Sequence, residues 1–106
     1  MNVLKMMKQA ADVQRKMGEM QASLAAQTVE FSSGGGMVRV TATGDLKIQN
    51  ISIDPKVVNA SDVEMLEDLV RAAVDGALGK ARDLAAEQMK SVTAGLQLPP
   101  GFNLPS

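Results

Sequence analysis

Residues 61–92, SDVEMLEDLVRAAVDGALGKARDLAAEQMKSV, form the longest helical pattern in the chain and carry its widest apolar face. Apolar residues recur there at steps of three and four, the spacing that lines one side of a helix with 3.6 residues per turn. Ser61 and Glu64 match the S-x-x-E capping box, which marks a helix start. We therefore predict a helix over residues 61–93 on which the other elements pack. Gly76 and Gly79 weaken a helix, so either another backbone approaches there or the helix bends slightly, and we favour the close packing of a backbone.

Residues 1–27 predict a second amphipathic helix. Its apolar residues alternate steps of three and four without a break, as in the a/d seam of a heptad pattern. Methionine makes this seam soft and adaptable. The seam comprises Val3, Met6, Ala10, Val13, Met17, Met20 and Leu24. Lys5, Lys8 and Arg15 fall on the opposite side of the helix.

Between the two helices the hydrophobic period changes from that of a helix to that of a strand. We predict strands over residues 28–33, 37–43 and 46–53, separated by the glycine run 34–36 and by a second tight turn at Gly44 and Asp45. In the third strand the apolar residues Leu46 and Ile48 stand at even positions, whereas Ile51 and Ile53 stand at odd positions. A regular strand would therefore place the two pairs on opposite faces. Either a bulge lies near Gln49 and Asn50 or both faces of the strand are covered, and we favour the covered second face.

The fold class is therefore α+β, with helix, three antiparallel strands and helix in one domain over residues 1–95. The tail that follows, residues 96–106, contains three prolines, which exclude a helix, and spaced apolar residues. We expect this tail to be extended and docked by its apolar groups. Packing on its own dimer is favoured over recognition by a foreign groove, because the tail lacks PxxP spacing.

The composition removes several classes of function. The chain has no cysteine and no histidine, which argues against thiolate chemistry, the usual zinc sites and the commonest general base. Trp and Tyr are also absent and only two Phe occur, so a base-stacking platform is not expected. No apolar run reaches the roughly 20 residues of a membrane span and no signal peptide is evident, so the cytoplasm is the default expectation. We expect no enzymatic activity, cofactor, metal or small-molecule substrate.

The element lengths predict a dimer. A strand of six or seven residues spans about 20 to 23 Å, whereas the two helices run to about 37 and 45 Å. Each helix must then extend past the sheet with part of its apolar stripe in water, which monomers rarely tolerate. A twofold dimer would bury both stripes, although the first helix could instead fold along the second within one chain. The predicted interface residues are Met17, Met20, Leu24, Ile48 and Leu78.

Three further patterns have ordinary structural explanations. The glycine run 34–36 lacks the Lys-Ser/Thr and the helix of a phosphate loop, so we interpret it as a hairpin tip. Glu64, Glu67 and Asp68 could bind Mg²⁺ but are typical of a helix N-terminus, where carboxylates complement the macrodipole. The basic residues of the first helix could meet DNA phosphates. On residue physics alone an ordinary solvated face is favoured, because Asp12 and Glu19 interrupt the stripe.

A resemblance changes this balance. The stretches MMKQAADVQRKM, GGGMVRVTATGDLKIQNISIDP, MLEDLVRAAVDGAL and GLQLPPGF, in this order and spacing, make the chain similar to the YbaB/EbfC family of bacterial nucleoid-associated proteins over nearly its whole length. The resemblance implies a tweezer-shaped homodimer that binds DNA and associates with the nucleoid, without catalysis. Basic residues on the projecting helical arms would hold the DNA. The matching positions are Lys5, Lys8, Arg15 and Lys16, with Arg82 and Lys90 as weaker candidates.

Our leading hypothesis is therefore a non-enzymatic DNA-binding homodimer that contacts mainly backbone phosphates and affects nucleoid organisation and gene expression. The alternative is a protein-interaction module that uses the methionine seam and the tail. Salt dependence separates these hypotheses, because phosphate contacts release condensed counterions and weaken as salt rises.

Overall fold

The computed structural model describes residues 2–94 and confirms the predicted α+β fold. The strands form one antiparallel sheet in the order β1-β2-β3. The predicted tail, residues 96–106, lies outside the described residues. In chain order the elements are α1 (Val3–Ala26), β1 (Thr28–Ser33), β2 (Val38–Thr43), β3 (Ile48–Ile53), a 3₁₀ turn (Pro55–Val57) and α2 (Val63–Ala94).

The core lies between α2 and the first two strands. Val38 and Val40 of β2 are fully buried, and the α2 face above them carries alanines at steps of four. Because alanine ends at Cβ, this face lets the helix approach the sheet closely. The fully buried core residues are Val38, Val40, Ala42, Ala73, Ala77 and Ala81.

One glycine of α2 is required by this close approach. A Cβ at Gly76 would overlap the Phe31 ring, so α2 packs closely there, but against an aromatic side chain of β1 and not against the backbone that we expected. The same prediction is wrong for Gly79, where a Cβ would have nothing within 4 Å. Lys80, one turn further along α2, also lies near this ring: its Nζ is 5.6 Å from the Phe31 centroid and donates to the Glu30 carbonyl at 2.9 Å.

Both hairpin turns depend on left-handed backbone. Gly34, Gly35 and Gly36 have φ of 60°, 68° and 92°, which confirms the hairpin tip between β1 and β2. In the second turn Leu46 has φ of 67°, a conformation that side chains other than those of Gly, Asn and Asp rarely adopt. A residue in this conformation cannot continue a strand, so β3 begins at Ile48 and not at the predicted residue 46.

The favoured interpretation of β3 is wrong, and the bulge alternative is correct. Thr41 pairs with Asn50 while Ala42 pairs with Ile48, which leaves Gln49 as an extra residue in β3. Because the extra residue resets the alternation, Ile48, Ile51 and Ile53 all lie on the face that carries Val38, Val40 and Ala42. The change of parity in the sequence therefore reflects one apolar face and not two.

The predicted capping box is also wrong. Asp62 caps α2, since its Oδ1 accepts a hydrogen bond from Met65 N at 3.3 Å, and the helix begins at Val63. Ser61 instead belongs to the preceding turn, where its amide and hydroxyl both donate to Asn59 Oδ1 at 3.0 and 2.8 Å. Serine and aspartate are nearly equivalent N-caps, so the neighbouring asparagine decides which of them is used.

Candidate nucleic-acid interface and subunit surface

The two helices form an arm that extends away from the sheet. Met17, Met20 and Leu24 of α1 share a pocket with Ala85 and Met89 of α2, and Lys16 and Met20 line a groove with Val92. These pairings run in opposite directions along the two helices, which are therefore antiparallel. The described chain measures 70 × 27 × 16 Å. The contact confirms the alternative in which part of α1 folds along α2 within one chain.

The first half of α1 extends past the end of α2. Because Val92 lies beside Lys16, the last described residue, Ala94, reaches only to about the level of Arg15. Residues 3–13 then continue for about 15 Å at 1.5 Å per residue. Their apolar residues other than the half-buried Val13 are exposed accordingly, with Val3 at 64% and Met6 at 53%. This segment, residues 3–13, is called the tip below.

The tip carries an unbalanced positive charge. Lys5 and Lys8 are exposed and form no salt bridge with any described residue, and no acidic residue lies in the first turn of α1. The N-terminus of a helix adds about half a positive charge from its aligned peptide dipoles. The tip therefore combines two unpaired ammonium groups with the positive end of a helix dipole.

The other predicted cations differ in availability. Arg15 is engaged by two carboxylates of its own helix, at 2.9 Å from Glu19 and 3.9 Å from Asp12. Lys16 is exposed, and over residues 2–92 it forms no salt bridge. Ion pairs between exposed side chains contribute little, about 0 to 1 kcal/mol, so a phosphate could displace those of Arg15.

On α2 the two weaker candidates lie at different heights on the arm. Lys90 is level with the middle of α1 and lies 3.6 Å from Glu87. Arg82 is exposed near the base of the arm. About 20 helical residues separate its level on the arm from that of Lys5 and Lys8, which corresponds to roughly 30 Å along the helix axis. The structure therefore does not place all six predicted residues in one patch. It places Lys5 and Lys8 at the tip, Arg15, Lys16 and Lys90 in the middle and Arg82 at the base.

A second exposed feature is an apolar row along β3. Ile48, Ile51 and Ile53 lie on the helix-facing side of the sheet but remain 40%, 43% and 38% exposed, because α2 packs over β1 and β2. β3 is also an edge strand, since it pairs only with β2 among the described strands. An apolar row at a free sheet edge is a surface that native proteins normally cover. These three residues are called the isoleucine row below.

The predicted interface residues are distributed between the protomer and its surface. Leu24 is only 4% exposed and contacts Gly44, so it lies in the interior of the protomer. Met17 and Met20 are half-buried beside α2, and Leu78 packs against the core. Ile48 alone belongs to the isoleucine row. Sequence reasoning missed Ile51 and Ile53. The signal was present, because both stand at odd positions, and a bulge before them places them on the same face as Ile48.

The described residues offer little for other chemistry. No group of three or more carboxylates within residues 2–92 is arranged to hold a metal ion. The glutamates at the start of α2 lie on an exposed helix end, and Asp68 is 3.5 Å from Arg71. No helix in the described part of the chain is long and apolar enough to cross a membrane.

Comparison with known proteins identifies the family to which this chain belongs. Residues 1–96 match the model of the YbaB/EbfC DNA-binding family. The chain belongs to the YbaB/EbfC family. Within the family it is 50% identical over 104 residues to a nucleoid-associated protein of Paramagnetospirillum magneticum and 48% identical over 104 residues to one of Granulibacter bethesdensis. Both alignments cover 98% of this chain and 97% of the relative.

A solved structure shares the architecture of this YbaB/EbfC chain. The crystal structure of an uncharacterized protein from Helicobacter pylori superposes with a TM-score of 0.61, at 19% sequence identity. The match covers 89% of this chain and 95% of the other. At this identity the likeness concerns the fold alone, and it supports an α-β-β-β-α arrangement over nearly the whole length.

Proposed function

We propose that this protein binds DNA as a homodimer, through backbone phosphates held by its helical arms, and that it acts in the bacterial nucleoid. Membership of a DNA-binding family and relatives named nucleoid-associated proteins support DNA as the ligand. The observation that carries the proposal is the tip, where Lys5 and Lys8 lie unpaired at the positive end of α1. Through such binding the protein would influence nucleoid organisation and gene expression.

Phosphate binding suits this arm better than base recognition. The described arm presents ammonium and guanidinium groups on exposed helix faces, where they can approach the outside of a duplex. Such contacts position a protein on DNA but carry no sequence information of their own. The relevant positions are Lys5, Lys8 and Lys16, with Arg15, Lys90 and Arg82 contributing less. Arg15 and Lys90 contribute less because each has a carboxylate within 3.6 Å.

The charge distribution supports α1 as the DNA-contacting helix. α1 has four basic and two acidic residues, whereas α2 has four basic and six acidic residues. The formal charge of the whole chain is −1, so binding depends on local and not on net charge. A duplex would therefore contact the α1 side of the arm and avoid the acidic faces of α2.

Two copies would join through the isoleucine row. Full burial of an isoleucine side chain contributes about 1.5 to 3 kcal/mol, and each row residue has about 40% of its surface still to bury. Six isoleucines in a twofold contact would then contribute about 4 to 7 kcal/mol. This contact also covers the free edges of both β3 strands, and a single patch meets itself in such a dimer. The arms would project on either side, which gives the tweezer shape.

A salt series with matched charge variants tests the DNA proposal. Gel shifts with a short duplex should give a linear fall of log affinity with log salt. The variant K5A/K8A should lower the slope by about 4, because the two arms of the dimer together lose four lysines and each phosphate contact contributes about 0.9. The control variant K56A/R71A removes the same net charge from exposed positions far from the tip, in the 3₁₀ turn and in the part of α2 that packs on the sheet, and should leave the slope unchanged. Equal slopes for the two variants, or no shift of the wild type at low salt, would refute phosphate binding by the tip.

A further inference from the structure

The apolar seam of α1 continues past the part that α2 covers. Met17 and Met20 are half-buried beside Met89, but the seam then runs on into the tip, where Val3, Met6 and Met7 are 64%, 53% and 63% exposed. The seam from Val3 to Val13 is about 15 Å long, and it is exposed except at Val13, which is half-buried. It is called the tip seam below. Large apolar residues at adjacent turns of an exposed helix require a partner in most soluble proteins.

The chain itself continues at the place where this cover ends. α2 reaches Ala94, which lies near the level of Arg15 on the antiparallel helix. The described part of α2 therefore ends at the inner end of the tip seam, and its axis points along the seam toward Val3. Residues 95–106 follow Ala94 in the sequence.

The length and chemistry of residues 95–106, GLQLPPGFNLPS, match the seam. The segment contains no charged residue and places leucine or phenylalanine at positions 96, 98, 102 and 104. Pro99 and Pro100 favour the polyproline conformation, which rises about 3.1 Å per residue. Leu96 to Phe102 then spans about 19 Å, which is enough to cover the 15 Å of the seam from one end to the other.

We infer that residues 96–104 bind along the tip seam of the same chain, as an apolar strap that covers Met6 and Val3 and leaves Lys5 and Lys8 in solvent. The α1 wheel places Lys8 about 170° from the middle of the tip seam, at 100° per residue. The strap therefore does not compete with the cationic face. A short tether keeps its effective concentration in the millimolar range, so even weak contacts suffice to dock it.

A single tryptophan tests this inference. The chain contains no Trp or Tyr, so Phe102→Trp in the full-length protein gives one fluorophore on the strap. We expect blue-shifted emission and protection from acrylamide quenching. Adding Met6→Glu should shift the emission to that of water-exposed tryptophan, whereas Lys8→Glu, which places the same side chain on the opposite face, should not. Solvent-like emission in Phe102→Trp alone would overturn the inference.

Disulfide trapping supplies a second measurement that does not depend on tryptophan. The chain has no cysteine, so the pair Met6→Cys and Phe102→Cys is unique, and Lys8→Cys with Phe102→Cys is its matched control. Under mild oxidant the first pair should form an intrachain bridge at least about tenfold faster than the control, as its effective concentration is higher. Equal rates would overturn the inference. A bridge between two chains would assign the seam to a second copy instead and would also overturn it. Both measurements use protein without DNA, so their outcome is independent of the proposed function.

Discussion

The substitution Ile51→Asp should convert the proposed dimer into a monomer. Ile51 lies in the middle of the isoleucine row, opposite Val40 across the strand pair, and is 43% exposed in the protomer. In the monomer an aspartate at this position can turn its carboxylate to water. In the twofold contact the same carboxylate would be covered by the partner, and it would meet its own symmetry copy.

The magnitude follows from the exposed fraction. Each copy would lose about 0.6 to 1.3 kcal/mol, which is 43% of the 1.5 to 3 kcal/mol for burying an isoleucine. Each copy would also desolvate a polar group without a partner, at a cost of about 1 to 3 kcal/mol. The two copies together lose about 3 to 9 kcal/mol. A loss at the low end already weakens Kd by more than about 100-fold.

Size-exclusion chromatography with light scattering at micromolar concentration measures the effect. The matched control is Ser52→Asp, which introduces the same charge one residue away on the opposite face, beside Arg39. We expect a dimer for the wild type and for Ser52→Asp and a monomer for Ile51→Asp, with similar circular dichroism for all three. The reasoning would be refuted if the wild type were a monomer, or if Ser52→Asp and not Ile51→Asp dissociated the dimer.

Three further predictions follow from the packing, the cap and the arms. Gly76→Ala should destabilise the fold by about 1 to 3 kcal/mol, because the new methyl overlaps the Phe31 ring, whereas Gly79→Ala faces open space and should stabilise it by about 0.5 to 1 kcal/mol. Urea denaturation measures both, and shifts of the same sign would contradict the packing. Asp62→Ala should lower the free energy of unfolding by about 1 kcal/mol, because the N-cap of α2 is lost, and Ser61→Ala should lower it by less than about 0.5 kcal/mol. A larger loss for Ser61→Ala than for Asp62→Ala would show that Ser61 is the N-cap, as the capping box predicted. The Ile51→Asp monomer should bind DNA with about half the wild-type salt slope, and an unchanged slope in the gel-shift series would mean that one arm holds the DNA.

The order and approximate extent of the elements could be predicted because each depends on a local period. Apolar steps of three and four in residues 61–92 are sufficient to indicate α2, and alternation around Val38 and Val40 is sufficient to indicate β2. The exact start of α2 could not be predicted this way. It depends on which of two adjacent good N-caps, Ser61 or Asp62, is taken by Asn59, and that hydrogen bond requires the folded turn.

The candidate site was less predictable than the fold because it depends on what remains uncovered. The sequence indicates that Lys5, Lys8 and Arg15 share a side of α1, but it does not indicate that carboxylates engage Arg15 while the two lysines form no salt bridge with a described residue. The same limit applies to the apolar seam. Leu24 and Met6 have equal status in the heptad pattern, yet α2 and the second turn cover Leu24, whereas Met6 stays exposed.

The isoleucine row is itself a product of the bulge. In a regular ladder without the bulge, Ala42 would pair with Gln49, and Ile48 would turn to the face that carries Thr41 and Asn50. The insertion of one residue therefore moves Ile48 onto the same face as Ile51 and Ile53 and lengthens an apolar pair into a row of three. Bulges are frequent at sheet edges, where they re-aim side chains. Here the local irregularity that obscured the strand in the sequence also creates the apolar surface through which we propose that two copies join.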